Sequence, residues 1–135
     1  MDAQGPVGQN QAPIGSCTEG VDLPVGTADY LELIRGLLCD SPERRDRAAD
    51  ECTDQIGAYD LAQRTTLLHV LLWSAQVETS PAAMESELNA ACAIVDSGAP
   101  SGTIAAVLSG IDRSKLSGSA IEHYDYLVGE AGRTA

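Results

Sequence analysis

Apolar residues recur along the middle of the chain at helical spacing, and turn signals divide them into six segments. Leu31, Ile34, Leu37 and Leu38 mark a first helix, with Thr27 placed to cap it and the Asp40-Ser41-Pro42 turn to stop it. Ser41 is predicted to cap a second helix. Pro42 at its first position loses no hydrogen bond, Glu43 favours the positive end of the helix dipole, and Gly57 is expected to close it. Asp60 and Gln63 have the spacing of a capping box. The helix behind them, through Leu67, Leu68, Val70, Leu71, Leu72, Trp73, Ala75 and Val77, is apolar on nearly every side and is expected at the buried centre. Ser80-Pro81 repeats the earlier start signal for a fourth helix running to about Ser97, with Gly98 ending it in the left-handed conformation. Ile104, Val107, Leu108 and Ile111 outline a fifth helix. Ile121, Tyr124, Leu127 and Val128 outline a sixth, starting near Ser119.

The serines at 41, 80 and 119 recur every 39 residues. A period of that size with two helices per unit is the spacing of stacked helical repeats. The faces agree across the first two units: Arg45, Ala49, Cys52 and Ile56 on the second helix correspond to Met84, Leu88, Ala91 and Val95 on the fourth. In the third unit the apolar set is rotated and residues 112–118 lengthen the turn. An irregular six-helix bundle is the alternative arrangement.

Leu33-Ile34-Arg35-Gly36-Leu37-Leu38, the turn Asp40-Ser41-Pro42-Glu43 and then Arg44-Arg45-Asp46-Arg47-Ala48-Ala49 together resemble one HEAT repeat. The resemblance implies an all-α fold of antiparallel helix pairs stacked as a short HEAT-like α-solenoid of about six helices. It also implies a ladder between repeats built from the turn Asp and the early Arg of the second helix, whose matching positions here are Asp40 and Arg44 or Arg45. The second unit carries Thr79 and Met84 at the corresponding positions and breaks that pattern. Small bacterial HEAT-like domains include immunity proteins of polymorphic toxin systems. The segment from Ile111-Asp112-Arg113-Ser114 through His123-Tyr124-Asp125-Tyr126-Leu127 is similar to such small helical proteins.

Composition sets the limits of the folded part. Residues 1–26 carry five Gly, three Pro and no basic residue, and are expected to form a flexible N-terminal tail with no secretory signal. Residues 27–128 are expected to form the helical domain and 129–135 a short C-terminal tail. The apolar runs are far shorter than the roughly 20 residues of a membrane span. The four cysteines show no metal or redox spacing, and Cys39 and Cys52 are expected too far apart to bond, so free thiols in the cytoplasm are predicted.

Twenty acidic residues against eight basic give a net charge of −12, which excludes the usual electrostatic attraction to nucleic acid or to an anionic membrane. Asp46, Asp50 and Asp54 follow one another every fourth residue, a like-charge stripe that destabilises an isolated helix and points away from the Ala49/Cys52/Ile56 face. Shifting by one unit places Glu85 and Asn89 on the fourth helix, and Asp96 falls on the same face one turn beyond. These six residues are the predicted partner-binding set, directed at a protein with a basic surface. The competing account is a solvated acidic face partly paired within the helix, Glu43 with Arg47 or Arg47 with Glu51.

No phosphate loop, nucleophile elbow or paired-His metal motif is present in the sequence, so no catalytic, cofactor or metal residues are predicted. His69 reads as a packing histidine in an apolar helix, and Glu122 points away from His123. The expected function is non-enzymatic protein binding, most concretely an immunity protein neutralising a toxin. A regulatory adaptor or scaffold, or an unrecognised hydrolase or metal-dependent enzyme, is the alternative.

Overall fold

The computed structural model describes residues 26–133, so the predicted N-terminal tail lies outside the described residues except for Gly26. Among the described residues all regular structure is helical: α1 (Thr27–Leu37), α2 (Pro42–Asp54), α3 (Leu61–Val77), α4 (Pro81–Asp96), α5 (Ala105–Leu108) and α6 (Ser119–Arg133). Short 3-10 turns at Ile56–Ala58 and Arg113–Lys115 sit in the connections.

Local chemistry sets most of the boundaries. The Ser41 side chain accepts from the Arg44 amide at 3.3 Å, and Ser80 accepts from the Ala83 amide at 3.2 Å. Asp60 and Gln63 form the full capping box, each side chain bonding the other's backbone amide at 2.8 and 2.9 Å. Each cap satisfies an amide that the helix itself leaves unpaired, worth about 1 kcal/mol. Gly98 turns the chain out of α4 at φ +104°, a conformation that a side chain would strain.

Several boundaries differ from the sequence expectation. Thr27 is already helical, and Gly26 precedes it without a side-chain cap. The second helix stops at Asp54, so Gly57 and Ile56 fall in the following 3-10 turn. Only Ala105–Leu108 of the fifth segment is α-helical, although Ile104, Val107, Leu108 and Ile111 are all buried as their spacing predicts. Ser119 is the first residue of α6 and its hydroxyl donates to Glu85 on α4, so side-chain capping at the 39-residue spacing occurs at Ser41 and Ser80 alone. The predicted tail from 129 is corrected too: α6 continues through Gly129 to Arg133, because Ala131 is buried against the core.

The helices pack in a regular order. Each odd-numbered helix contacts the even-numbered one that follows it; α1, α3 and α5 are neighbours in that order, as are α2, α4 and α6. The core runs through all of them, with Leu37, Leu67, Leu68, Leu71, Leu72, Leu88, Ile94, Ile104 and Leu127 among its fully enclosed side chains. Gly36 on α1 lets α2 approach closely, since a Cβ there would stand 2.9 Å from the Ala48 Cβ. The expectation that α3 is enclosed all round holds for its Leu67/Leu68/Leu71/Leu72 face only. Trp73 is 58% exposed and Val77 77%, because α3 has helices along one side and at its flanks but none over this face.

Candidate functional site

Adjacency of α2, α4 and α6 brings the six predicted acidic-surface residues onto neighbouring helices, but they are not equivalent. Asp50 and Asp54 are exposed. Asp46 is half-buried and accepts a hydrogen bond from Ser86 on α4, which corrects its predicted place on a freely solvated stripe. Glu85 accepts from Ser119 and Asp96 from Tyr126, both on α6. The bond to Asp96, together with partial burial and that carboxylate's charge, pushes the Tyr126 phenol up to about 12. Asn89 is half-buried. Three of the carboxylates thus fasten adjacent even-numbered helices through hydroxyl donors, a role that single-helix geometry does not reveal.

The ion pairs expected within α2 are absent from the described residues. Arg44 and Arg47 instead line a groove of about 580 Å³ between α1 and α2, whose other walls include Asp29, Glu32 and Glu51. The predicted Asp40 ladder is replaced by a different one. Arg45 uses one guanidinium nitrogen on the Cys39 and Asp40 carbonyls, at 2.8 and 3.0 Å, and directs the other two at the carboxylate of Glu78, each at 2.7 Å. Arg45 therefore joins the turn after α1 to the end of α3.

Behind this pair lies a carboxyl group that sequence reading passed over. Glu87 on α4 has no exposure, and its Oε2 accepts a hydrogen bond from Ser74 at 3.4 Å. Its Oε1 is buried and receives no hydrogen bond. Ser74 also approaches the Leu37 carbonyl at 3.3 Å, so the cluster touches α1, α2, α3 and α4. Burial and the adjoining Glu78 push Glu87 up to about 9, against the opposing effects of Arg45 and Ser74. Burial acts to raise Glu78 as well, but the hydrogen bonds from Arg45 and from the Ser80 amide outweigh it and hold Glu78 down at about 2. Two neighbouring carboxyl groups with one guanidinium divide into one ionised and one protonated group, since the interior does not support both negative charges.

Two signals in the sequence pointed here. Glu78 occupies the position 39 residues after Cys39, and Glu87 the position 39 after Ala48, a buried alanine. Glu87 also has Ala83, Ala90, Ala91 and Ile94 at helical spacing around it, an acid in the middle of an apolar stripe.

Arg45, Ser74 and Glu78 of this cluster line a cleft of about 450 Å³ together with Leu38, Trp73 and Val77, while Glu87 lies enclosed outside its lining. Leu38, 61% exposed, joins Trp73 and Val77 in an apolar rim at the C-terminal ends of α1 and α3.

The remaining candidates have structural partners. His69 contacts the Thr65 carbonyl at 3.0 Å and the Thr103 hydroxyl at 3.3 Å, with its ring 5.8 Å from that of Trp73. Asp125, two residues after His123, is held in a two-bond pair by Arg113 at 2.8 Å. Cys39, Cys52 and Cys92 are free thiols. Among the described residues no cluster of three or more His, Cys, Asp or Glu is arranged to hold a metal ion, and no helix is long and apolar enough to cross a membrane. Compared with protein-family models, curated proteins and solved structures, the chain matches none.

Proposed function

We propose that the chain is a short HEAT-like α-solenoid acting as a non-enzymatic protein-binding module, and in its most concrete form a cytoplasmic immunity protein that neutralises a basic toxin. The observation that carries this reading is the order of α2, α4 and α6, with Asp50 and Asp54 presented to solvent and Asp46, Glu85 and Asp96 bracing neighbouring helices. Like charges every fourth residue oppose helix formation, so Asp50 and Asp54 add nothing to the helix itself and their exposed charge is available to a basic partner. Acidic complementarity accelerates encounter with a basic protein and lets a binder occlude a substrate site without chemistry of its own.

The test is binding of the full chain to the protein encoded beside its gene, followed at low and high salt. The expected result is an association rate that falls steeply with ionic strength and falls again in Asp50→Lys/Asp54→Lys. Binding that responds to neither overturns the acidic-surface reading.

A regulatory adaptor is the second reading, favoured by the apolar rim of Leu38, Trp73 and Val77. Exposed aromatic and aliphatic side chains around a cleft are the usual anchors of a protein contact. A partner lost on Trp73→Ser but retained by Asp50→Lys/Asp54→Lys would select this reading over the first.

A further inference from the structure

The cluster of Arg45, Glu78, Glu87 and Ser74 joins four helices and contributes to the floor of an open cleft, an arrangement that does more than fill space. Glu87 is enclosed, and its Oε1 receives no hydrogen bond although Glu78 adjoins it. Glu78 accepts from Arg45 through both oxygens and from the Thr79 and Ser80 amides at 3.0 and 2.9 Å, so it is the ionised member. An enclosed carboxyl oxygen that no donor satisfies, in a group neighbouring an ionised carboxylate, is where a proton belongs.

We propose that Glu87 keeps a proton at neutral pH and donates it to Glu78, completing a lock from α2 through the end of α3 to α4 that alkaline solution releases, loosening the cleft beneath Trp73. From α2, Arg45 is the positive group acting on Glu87; from the α3 side come Ser74 and the negative Glu78. From α6, Ser119 and Tyr126 engage other α4 carboxylates, Glu85 and Asp96. Loss of the proton leaves two negative charges against one guanidinium in an enclosed space, and the cheapest relief is to admit water through the cleft floor formed by Ser74 and Glu78.

Glu87 is raised in the folded chain, so its contribution is fully present below the ordinary carboxyl range and diminishes as pH rises toward about 9. One proton difference between folded and unfolded chains changes the folding equilibrium constant by up to about tenfold per pH unit.

The experiment compares the full-length chain with Glu87→Gln, a neutral side chain able to donate the same hydrogen bond. Urea unfolding between pH 6 and 9 is expected to show the equilibrium constant of the native chain falling relative to that of E87Q by up to about tenfold per unit. Acrylamide quenching of Trp73 is expected to increase with pH in the native chain alone. An infrared band of a protonated carboxylic acid, present at pH 7 in the native chain and missing from E87Q, reports the proton directly. Equal pH dependence in the two proteins overturns the proposal, as does the absence of that band from the native chain. The band in the native chain decides the matter even where E87Q fails to fold.

Discussion

Arg45 on α2 and Glu78 at the end of α3 face each other in a parallel two-bond pair, Nε to Oε1 and Nη2 to Oε2, both 2.7 Å long. The Glu78 side chain is 1% exposed and that of Arg45 15%. An enclosed pair of this kind is rigid and directional, and its worth to the fold is best read from what happens when one half is removed.

Arg45→Ala strands the Glu78 carboxylate beside Glu87. The expected cost is about 3–5 kcal/mol in urea unfolding at pH 7. Arg45→Lys should recover only part of it, because an ammonium does not reproduce the fork or reach the Cys39 and Asp40 carbonyls at the same time.

The acid limb of the stability profile belongs to Glu78. Its folded-state value, about 2, lies below that of the unfolded chain, so its stabilisation is complete above the ordinary carboxyl range and is lost as pH falls through it toward 2. Urea midpoints measured from pH 5 down to pH 2 should fall for the native chain and fall less steeply for Glu78→Gln.

Gly36→Ala should destabilise by about 1–3 kcal/mol, although alanine is the better helix former, because the added methyl meets Ala48 at 2.9 Å. Thermal melting of the pair Gly36→Ala/Ala48→Gly should show recovery over the single change. A single variant as stable as the native chain would mean that α1 and α2 do not approach this closely.

The two faces of α3 should separate cleanly on substitution. Leu72→Ala removes an enclosed side chain and is expected to cost about 2–5 kcal/mol, whereas Trp73→Ser, one position on, should change stability by less than about 1 kcal/mol. Trp73 is the single tryptophan, so its fluorescence should show a solvent-exposed emission maximum before unfolding.

Thiol chemistry offers a further check on the core. Burial pushes both Cys52 and Cys92 up to about 12, helped by Glu51 and Asp96 respectively. Neither should react with a thiol reagent at pH 8 until the chain unfolds, since the thiolate is the reactive form.

Much of the helical organisation was legible because its causes are short-range. Ser41, Ser80 and the Asp60–Gln63 pair act on amides three residues away, and Gly98 acts on its own dihedral angle. The apolar stripes likewise marked Leu67, Leu71, Leu88 and Ala91 as buried. The acidic stripe was legible as a pattern, but a helical wheel assigns only a direction. Whether Asp46 met water or Ser86 depended on where α4 lay.

The sequence by itself determined the helical class, the caps at Ser41, Asp60 and Ser80 and the inward positions Ala49, Cys52, Leu88, Ala91 and Val95 of α2 and α4, since a helix carries its own hydrogen bonds and its own periodicity. Only the tertiary structure decided that Arg45 reaches Glu78, that Glu87 is enclosed, that Trp73 stands in solvent and that α6 runs on to Arg133. Each of these depends on which helices stand beside one another. Burial of a carboxyl group, exposure of a tryptophan and extension of a helix end are set by neighbours distant in the chain, whose positions no local pattern records.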